Sequence, residues 1–451
     1  MTPRASVLHT VGSPTVSLSE ISALIANGVG PLAGDIDRAL VLVPDDTRKL
    51  PVSQMFAAVW DALSSHGVRV DAMIAQGTHT AMPVAAKRDW VYGTREYPGS
   101  TIHDHAWADE QSLIEVGVVP LSDQKMLFGA YGDVSARLGF DHDIPVRINR
   151  RLLEYDRILL VTRVQPHEGA GFAGGAKQLF PGASGPEMIN LLHTIGSLRG
   201  ASSIQGVLNN PVRELIDDMA DLVPVPITTL AVVIDDASSS VRGVFVQPDG
   251  WREVTHEAAA LSAEVNVRYV PHRVRRVVAA TPQLPDGSWL YPELWTGAKG
   301  VFRGDDAVGD GGELVLYAPG VREISATHGD AISRVGLHGW PYLLAHLDKW
   351  QPLGISPLAL TLGVLIKGDA PILDGRESPR IDVRLATALD PAQCRALGVS
   401  YECPDTVACE IRDAPADTIE NDRLVMHNAG SILWRHRPPT SHPTAGTLAP
   451  A

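Results

Sequence analysis

Gln165-Pro166-His167-Glu168-Gly169-Ala170-Gly171-Phe172-Ala173-Gly174-Gly175-Ala176-Lys177-Gln178-Leu179-Phe180-Pro181-Gly182 places four glycines between one histidine and one lysine. The apolar run Arg157 to Val164 leads straight into it. Such a run, bounded by turn residues, reads as a buried strand. In open α/β sheets, ligand loops sit just past the carboxyl ends of such strands. Backbone this poor in side chains suits a bulky group lying against the main chain.

Two nucleotide motifs are close to this stretch. A phosphate loop, GxxxxGK[ST], fails in register, because Ala176 precedes Lys177 and Gln178 stands where a magnesium-binding hydroxyl is needed. The dinucleotide pattern GxGxxG is met by Gly169, Gly171 and Gly174, with no acidic residue evident on a following strand to hold a ribose. A nicotinamide-dependent 2-hydroxy acid dehydrogenase is therefore the second reading. A plain glycine-rich turn is the bland one.

Two earlier units follow the same strand–loop–helix plan. Ala39 to Pro44 is a strand-like run ending in Asp45-Asp46-Thr47-Arg48, before a helix from Val52 to about His66. Val68 to Ala75 leads into Gln76-Gly77-Thr78-His79-Thr80, and Pro83 opens a helix. His79 and His167 thus occupy equivalent positions after buried strands, where imidazole suits acid–base work near neutrality. Ser184-Gly185-Pro186-Glu187 has capping-box spacing and starts a helix carrying Met188, Ile189, Leu192 and His193. On that helix His193 shares a face with Ile189. His103, Asp104 and His105 are the most metal-like cluster by residue type.

Repeated units of this kind imply α/β architecture with a mainly parallel sheet. The 451 residues exceed one ordinary core, so two α/β domains are expected, with the active site in the cleft between them. The expected boundaries are 1–270 and 271–422, with a late strand over 423–437 that could return to the first domain and a disordered tail over 438–451. A composition change near Pro271-His-Arg-Val-Arg-Arg276 marks the boundary. The stretch from Pro120 to Ile144 reads as an inserted loop or hairpin.

Composition narrows the class. A net charge of -14 argues against nucleic acid or an anionic membrane as partner. Hydrophobic content of 45% with no long apolar run fits a water-soluble enzyme rather than a membrane span. Three cysteines without CxxC spacing and no signal-like start lead to a cytoplasmic expectation. In so acidic a chain, Arg48 and Lys299 in loop or helix positions are candidate anchors for an anionic substrate.

Taken together these residues resemble the nickel-pincer lactate racemase family. The resemblance runs over most of the chain: Asp45-Asp46-Thr47-Arg48, Gly77-Thr78-His79, His167 with Lys177 ten residues on, His193 sixteen beyond that lysine, Lys299-Gly300 and Asp348-Lys349-Trp350. It implies a nickel-bearing pyridinium mononucleotide tethered through Lys177, with His193 as the protein's nickel ligand and Asp45, Gly174 and Gly175 against the cofactor. It implies a racemase or epimerase that inverts C2 of a 2-hydroxy acid by reversible hydride transfer, with His79 and His167 as paired acid and base. Arg48 and Lys299 would hold the substrate carboxylate, and Trp295, Thr296 and Trp350 would line the pocket. Partners would be the small-molecule acid and the cofactor-synthesis enzymes. Where the family's lactate enzymes have Tyr-Gln, this chain has Trp295-Thr296, and Thr80 stands where an arginine is usual. Those departures imply a 2-hydroxy acid other than lactate. A third reading keeps the scaffold as a 2-hydroxy acid binding protein without turnover.

Overall fold

A computed structural model describes residues 6–9 and 16–436, apart from Thr78, Thr80, Pro285, Ala416 and Asn428; the expected tail lies outside the described residues. The chain divides into two compact units. The first runs to Asn266 and resumes over Thr327–Ser378; the second takes Val267–Ala326 and the chain from Pro379 onward.

The strands of the first unit, in chain order, are β1 (Ser6–His9), β2 (Arg38–Val43), β3 (Arg69–Ile74), β4 (Ile102–Asp104), β5 (Leu113–Val119), β6 (Ile144–Asn149), β7 (Arg157–Arg163), β8 (Pro166–His167), β9 (Gly171–Phe172), β10 (Ile227–Asp235) and β11 (Ser240–Gln247). Its main sheet has the order β1-β11-β10-β7-β2-β3-β4. From β10 to β4 every pairing is parallel, and β11 and β1 add an antiparallel edge. The apolar runs are continuous because both faces are covered. Leu40, Leu42, Ile158 and Leu160 pack into one core, while Val41, Val43, Leu159 and Val161 pack into the core on the other side.

Helix starts are set locally. Leu18–Val29 opens with Ser17 and Glu20 in a reciprocal capping box. The helix carrying His193, Pro186–Arg199, is different from expectation: its N-cap is Gly185, with proline in its first turn. Glu187 instead pairs with Arg147, and Ser184 bridges to Ile148 on β6. The Pro120–Ile144 stretch connects the antiparallel pair β5–β6 and contains the helix Leu121–Phe128.

The second unit holds a six-stranded sheet in the order Ser400–Tyr401, Asp382–Thr387, Val308–Ala318, Val274–Ala280, Arg423–Met426, Ile419–Glu420. All its pairings are parallel except the last. Two expected boundaries need correction. The strand Arg423–Met426 joins this sheet and does not return to the first unit. Residues 327–378 fold with the first unit, because Trp340, Leu347, Trp350 and Leu360 share an apolar core with Leu191, Leu192 and Ile195.

Candidate functional site

The loops following β2, β3, β4 and β7 leave the same, carboxyl edge of four adjacent parallel strands. Asp45 and Arg48 come from the first loop, His79 from the second, and His167 and Lys177 from the last. Their common edge follows from the parallel sheet. Backbone and side-chain bonds then tie the loops together. Gly77 N–H donates to Gly182 O at 3.0 Å, joining the His79 loop to the chain just past Lys177. Gln76 Nε2 donates to His105 O at 3.3 Å, and His105 Nε2 donates to Ser184 O at 2.9 Å.

His79 is oriented by a carboxylate. Its Nδ1 lies 2.5 Å from Asp45 Oδ2, and the Asp45 side chain is almost fully buried. Thr47 also donates to Asp45, from its hydroxyl at 2.5 Å and its N–H at 3.2 Å. Burial alone would raise the Asp45 carboxyl. The His79 contact, the nearby Arg48 charge and the Thr47 hydroxyl outweigh it and hold that carboxyl well below its usual range. An ionised carboxylate only accepts, so His79 carries its proton on Nδ1 and presents an Nε2 lone pair.

His167 has the opposite arrangement. It lies in the short β8–β9 hairpin, opposite Gly171. Gly169 N–H donates to His167 Nδ1 at 3.1 Å, so the proton of the neutral ring sits on Nε2. Glu168 lies 3.8 Å from that Nε2. One histidine thus presents an acceptor and the other a donor.

Lys177 sits in a 3₁₀ turn, Gly175–Gln178, and is half-buried. His193 donates from Nδ1 to Ile189 O at 2.7 Å, which leaves Nε2 as a lone-pair donor. Burial pushes the His193 ring down to about 4, opposed by the Ile189 carbonyl and assisted by the nearby Lys177 charge. The ring is therefore neutral near pH 7 and suited to a metal. Its helix lies directly on the His167 loop: a Cβ on Gly196 would stand 2.8 Å from Gly169 O. Among the described residues, no group of three or more His, Cys, Asp or Glu side chains could hold a metal ion. A metal at His193 would therefore have to bring further donors with it.

Several expectations change on the structure. At Gly174 and Gly175 the space a side chain would take is filled by protein. A Cβ on Gly175 would meet Thr255 Oγ1 at 2.3 Å, and one on Gly174 would meet Val164 Cγ2 at 2.7 Å; both backbones have positive φ. The absence of side chains there lets the loop seat closely on β7 and on the helix Trp251–Asn266. Trp350 is 3% exposed, in the core of the first unit, with its indole N–H donated to Leu343 O at 2.9 Å. It packs in that core. His103 bonds Tyr155, Asp104 pairs with Lys87, and His105 is buried between Ser184 and Asn149, so the three do not converge.

Lys299, Thr296 and Trp295 belong to the second unit, on the short helices Leu294–Gly297 and Lys299–Gly304. Thr296 donates its hydroxyl to Glu293 O at 3.3 Å, and Lys299 Nζ is 5.7 Å from the Tyr291 ring centroid.

Three residues of the site escaped the sequence reading. Arg213, fully buried, donates to the carbonyls of Phe172 and Gly174 and so props the glycine stretch from the helix Pro211–Asp221. Nothing in its local sequence signals that. Gln76 and Trp107 border a cavity of about 540 Å³ next to His79. The signal for Trp107 was present, since it follows β4, but that strand is only three residues long.

The path of the glycine stretch also bears on the dinucleotide reading. That fingerprint needs a helix opening directly on the glycines. Here β7 is followed by a hairpin and a 3₁₀ turn, and the next α-helix begins at Pro186.

The family model described as the lactate racemase N-terminal domain matches residues 136–206, a span that holds His167, Lys177 and His193. The chain is thus similar to lactate racemases in part of its sequence and in its fold. The lactate racemase of Thermoanaerobacterium thermosaccharolyticum is 24% identical over 327 residues, covering 68% of this chain and 67% of the relative. The structure of that organism's lactate racemase apoprotein superimposes with a TM-score of 0.70 at 17% identity, over 93% of each chain. A crystal structure of a Thermotoga maritima protein superimposes with a TM-score of 0.82 at 22% identity, over 95% of this chain and all of that one. At such identities the structural likeness speaks to the fold. No helix among the described residues is long and apolar enough to cross a membrane.

Proposed function

We propose that this protein is a racemase or epimerase that inverts C2 of a 2-hydroxy acid with the help of a nickel-pincer pyridinium nucleotide. The observation that carries the reading is that the matched stretch 136–206 holds both Lys177, in a glycine-flanked turn at the carboxyl edge of the sheet, and His193, whose Nδ1 is spent on Ile189 O so that Nε2 is left as a lone-pair donor. A tethering amine together with a neutral, backbone-oriented imidazole suits a cofactor that brings its own remaining metal donors. Lys177 would hold it covalently and His193 Nε2 would ligate its nickel. When bound, that cofactor would supply a reversible two-electron acceptor for the C2 hydrogen.

The chain supplies the proton chemistry. His79 Nε2 takes the hydroxyl proton of one enantiomer, and Asp45 stabilises the imidazolium that results. His167, charged when it acts as the acid, gives its Nε2 proton to the carbonyl oxygen of the planar 2-keto acid and becomes neutral, as the C2 hydrogen comes back on the other face. The opposite enantiomer reverses the roles. Arg48 binds the carboxylate through its planar fork, and Lys299 is its proposed second anchor.

The test uses coexpression with the cofactor-synthesis enzymes. Expected are a mass increase localised to Lys177, about one nickel per chain, and loss of C2 chirality in a panel of 2-hydroxy acids. His79→Ala and His167→Ala should each abolish racemisation and keep the Lys177 adduct. An unmodified Lys177 defeats the proposal. An adduct with tight acid binding and unchanged chirality would make this a binding protein on the same scaffold.

A further inference from the structure

The cavity next to His79 has a one-sided chemistry. Its apolar wall is made by Ala81, Ala106, Trp107 and Ala108, and besides His79, His105 and Thr327 its polar members are Gln76 and Asp109. Among the described residues, no lysine or arginine lines it. Both Asp109 oxygens are engaged, by Gln111 N–H at 3.1 Å and the Ser112 hydroxyl at 2.6 Å. Gln76 is different. It is 7% exposed, its Nε2 is spent on His105 O, and its Oε1 is buried without a hydrogen-bond partner among the described residues.

Each feature removes a class of substrate. A second carboxylate, as in a hydroxy diacid, would meet the Asp109 carboxylate and no lysine or arginine among the described lining residues. A polyhydroxylated chain would leave most of its hydroxyls against alanine and indole. A methyl group would use little of about 540 Å³. The flat Trp107 ring favours another ring beside it. A buried acceptor lacking a donor is costly until a ligand supplies one.

We infer that this cavity takes the C2 side chain of a neutral aromatic 2-hydroxy acid bearing a hydrogen-bond donor, with Trp107 against the ring and Gln76 Oε1 accepting from the donor. That the bound group is a 2-hydroxy acid rests on the proposed function; the selection among side chains rests on the cavity alone. The donor is a phenol O–H or an indole N–H.

Isothermal titration of the full chain, with and without cofactor loading, tests this with 4-hydroxyphenyllactate, indole-3-lactate, 3-phenyllactate, lactate and malate. At least one of the two donor-bearing acids should bind roughly tenfold or more tighter than 3-phenyllactate, the discrimination expected of one unpaired buried acceptor. Lactate and malate should bind weaker still. Gln76→Leu should erase the donor preference while 3-phenyllactate binding survives, and Trp107→Ala should weaken all three aromatic acids together. Tightest binding of lactate or malate, binding of none of the five, or a donor preference unchanged in Gln76→Leu overturns the inference. Tight aromatic binding with C2 chirality intact in the loaded protein would support the cavity assignment and defeat the racemase reading instead.

Discussion

Asp45 accepts the Nδ1 proton of His79 across 2.5 Å, and that one contact fixes which nitrogen of His79 faces outward as a base. An Asn at position 45 can offer its amide N–H to Nδ1 instead, which moves the imidazole proton to Nε2 and removes the base. Asp45→Asn should therefore lower kcat by roughly 10²–10⁴-fold, the usual worth of a positioned general base. The Lys177 adduct and nickel content should be unchanged. Retained activity would show that His79 does not work through its pairing with Asp45.

The glycines of the central stretch give a stability test. Gly175 has φ +60°, and a Cβ there would stand 2.3 Å from Thr255 Oγ1. Gly175→Ala should cost about 1–3 kcal/mol of stability from strain and overpacking. Adding Thr255→Ala should recover part of it, since the clash is relieved and the backbone strain stays. A Gly175→Ala protein of normal Tm that fails to take up the cofactor would restore the reading of these glycines as a bed for the ring.

His105 gives a pH dependence. Burial, opposed by its bond to Ser184 O, pushes its ring down to about 4 from an ordinary 6.5. Between those values the unfolded chain binds more protons than the folded one, so stability falls as pH falls from 6.5 to 4. The contribution is complete above 6.5 and amounts to ~3 kcal/mol at most. His105→Gln should be less stable at pH 7 and should show a shallower decline across that window in urea titrations. An equal slope in both proteins would mean that His105 is protonated in the fold.

Trp350 separates packing from pocket. With its ring in the core of the first unit and its N–H on Leu343 O, Trp350→Ala should cost about 3–5 kcal/mol. Loss of acid binding with unchanged Tm would return it to the substrate pocket.

The sequence alone determined the alternation of buried strands and helices, because strands covered on both faces must be apolar at every position. Val41 and Val43 face one core, Leu40 and Leu42 the other, and the run shows it. It also determined which loops carry Asp45, His79, His167 and Lys177, since polar residues directly after such strands have one place to go.

Tertiary structure decided the rest. The excursion of 327–378 back into the first unit depends on Trp340 and Leu347 finding Leu191 and Ile195, a long-range match with no local signal. The tautomers of His79 and His167 depend on one carboxylate from another loop and one backbone N–H two residues on. The glycine-rich stretch looked like a bed for a ligand. What forbids side chains at Gly174 and Gly175 is Val164 and Thr255, atoms brought there only by folding.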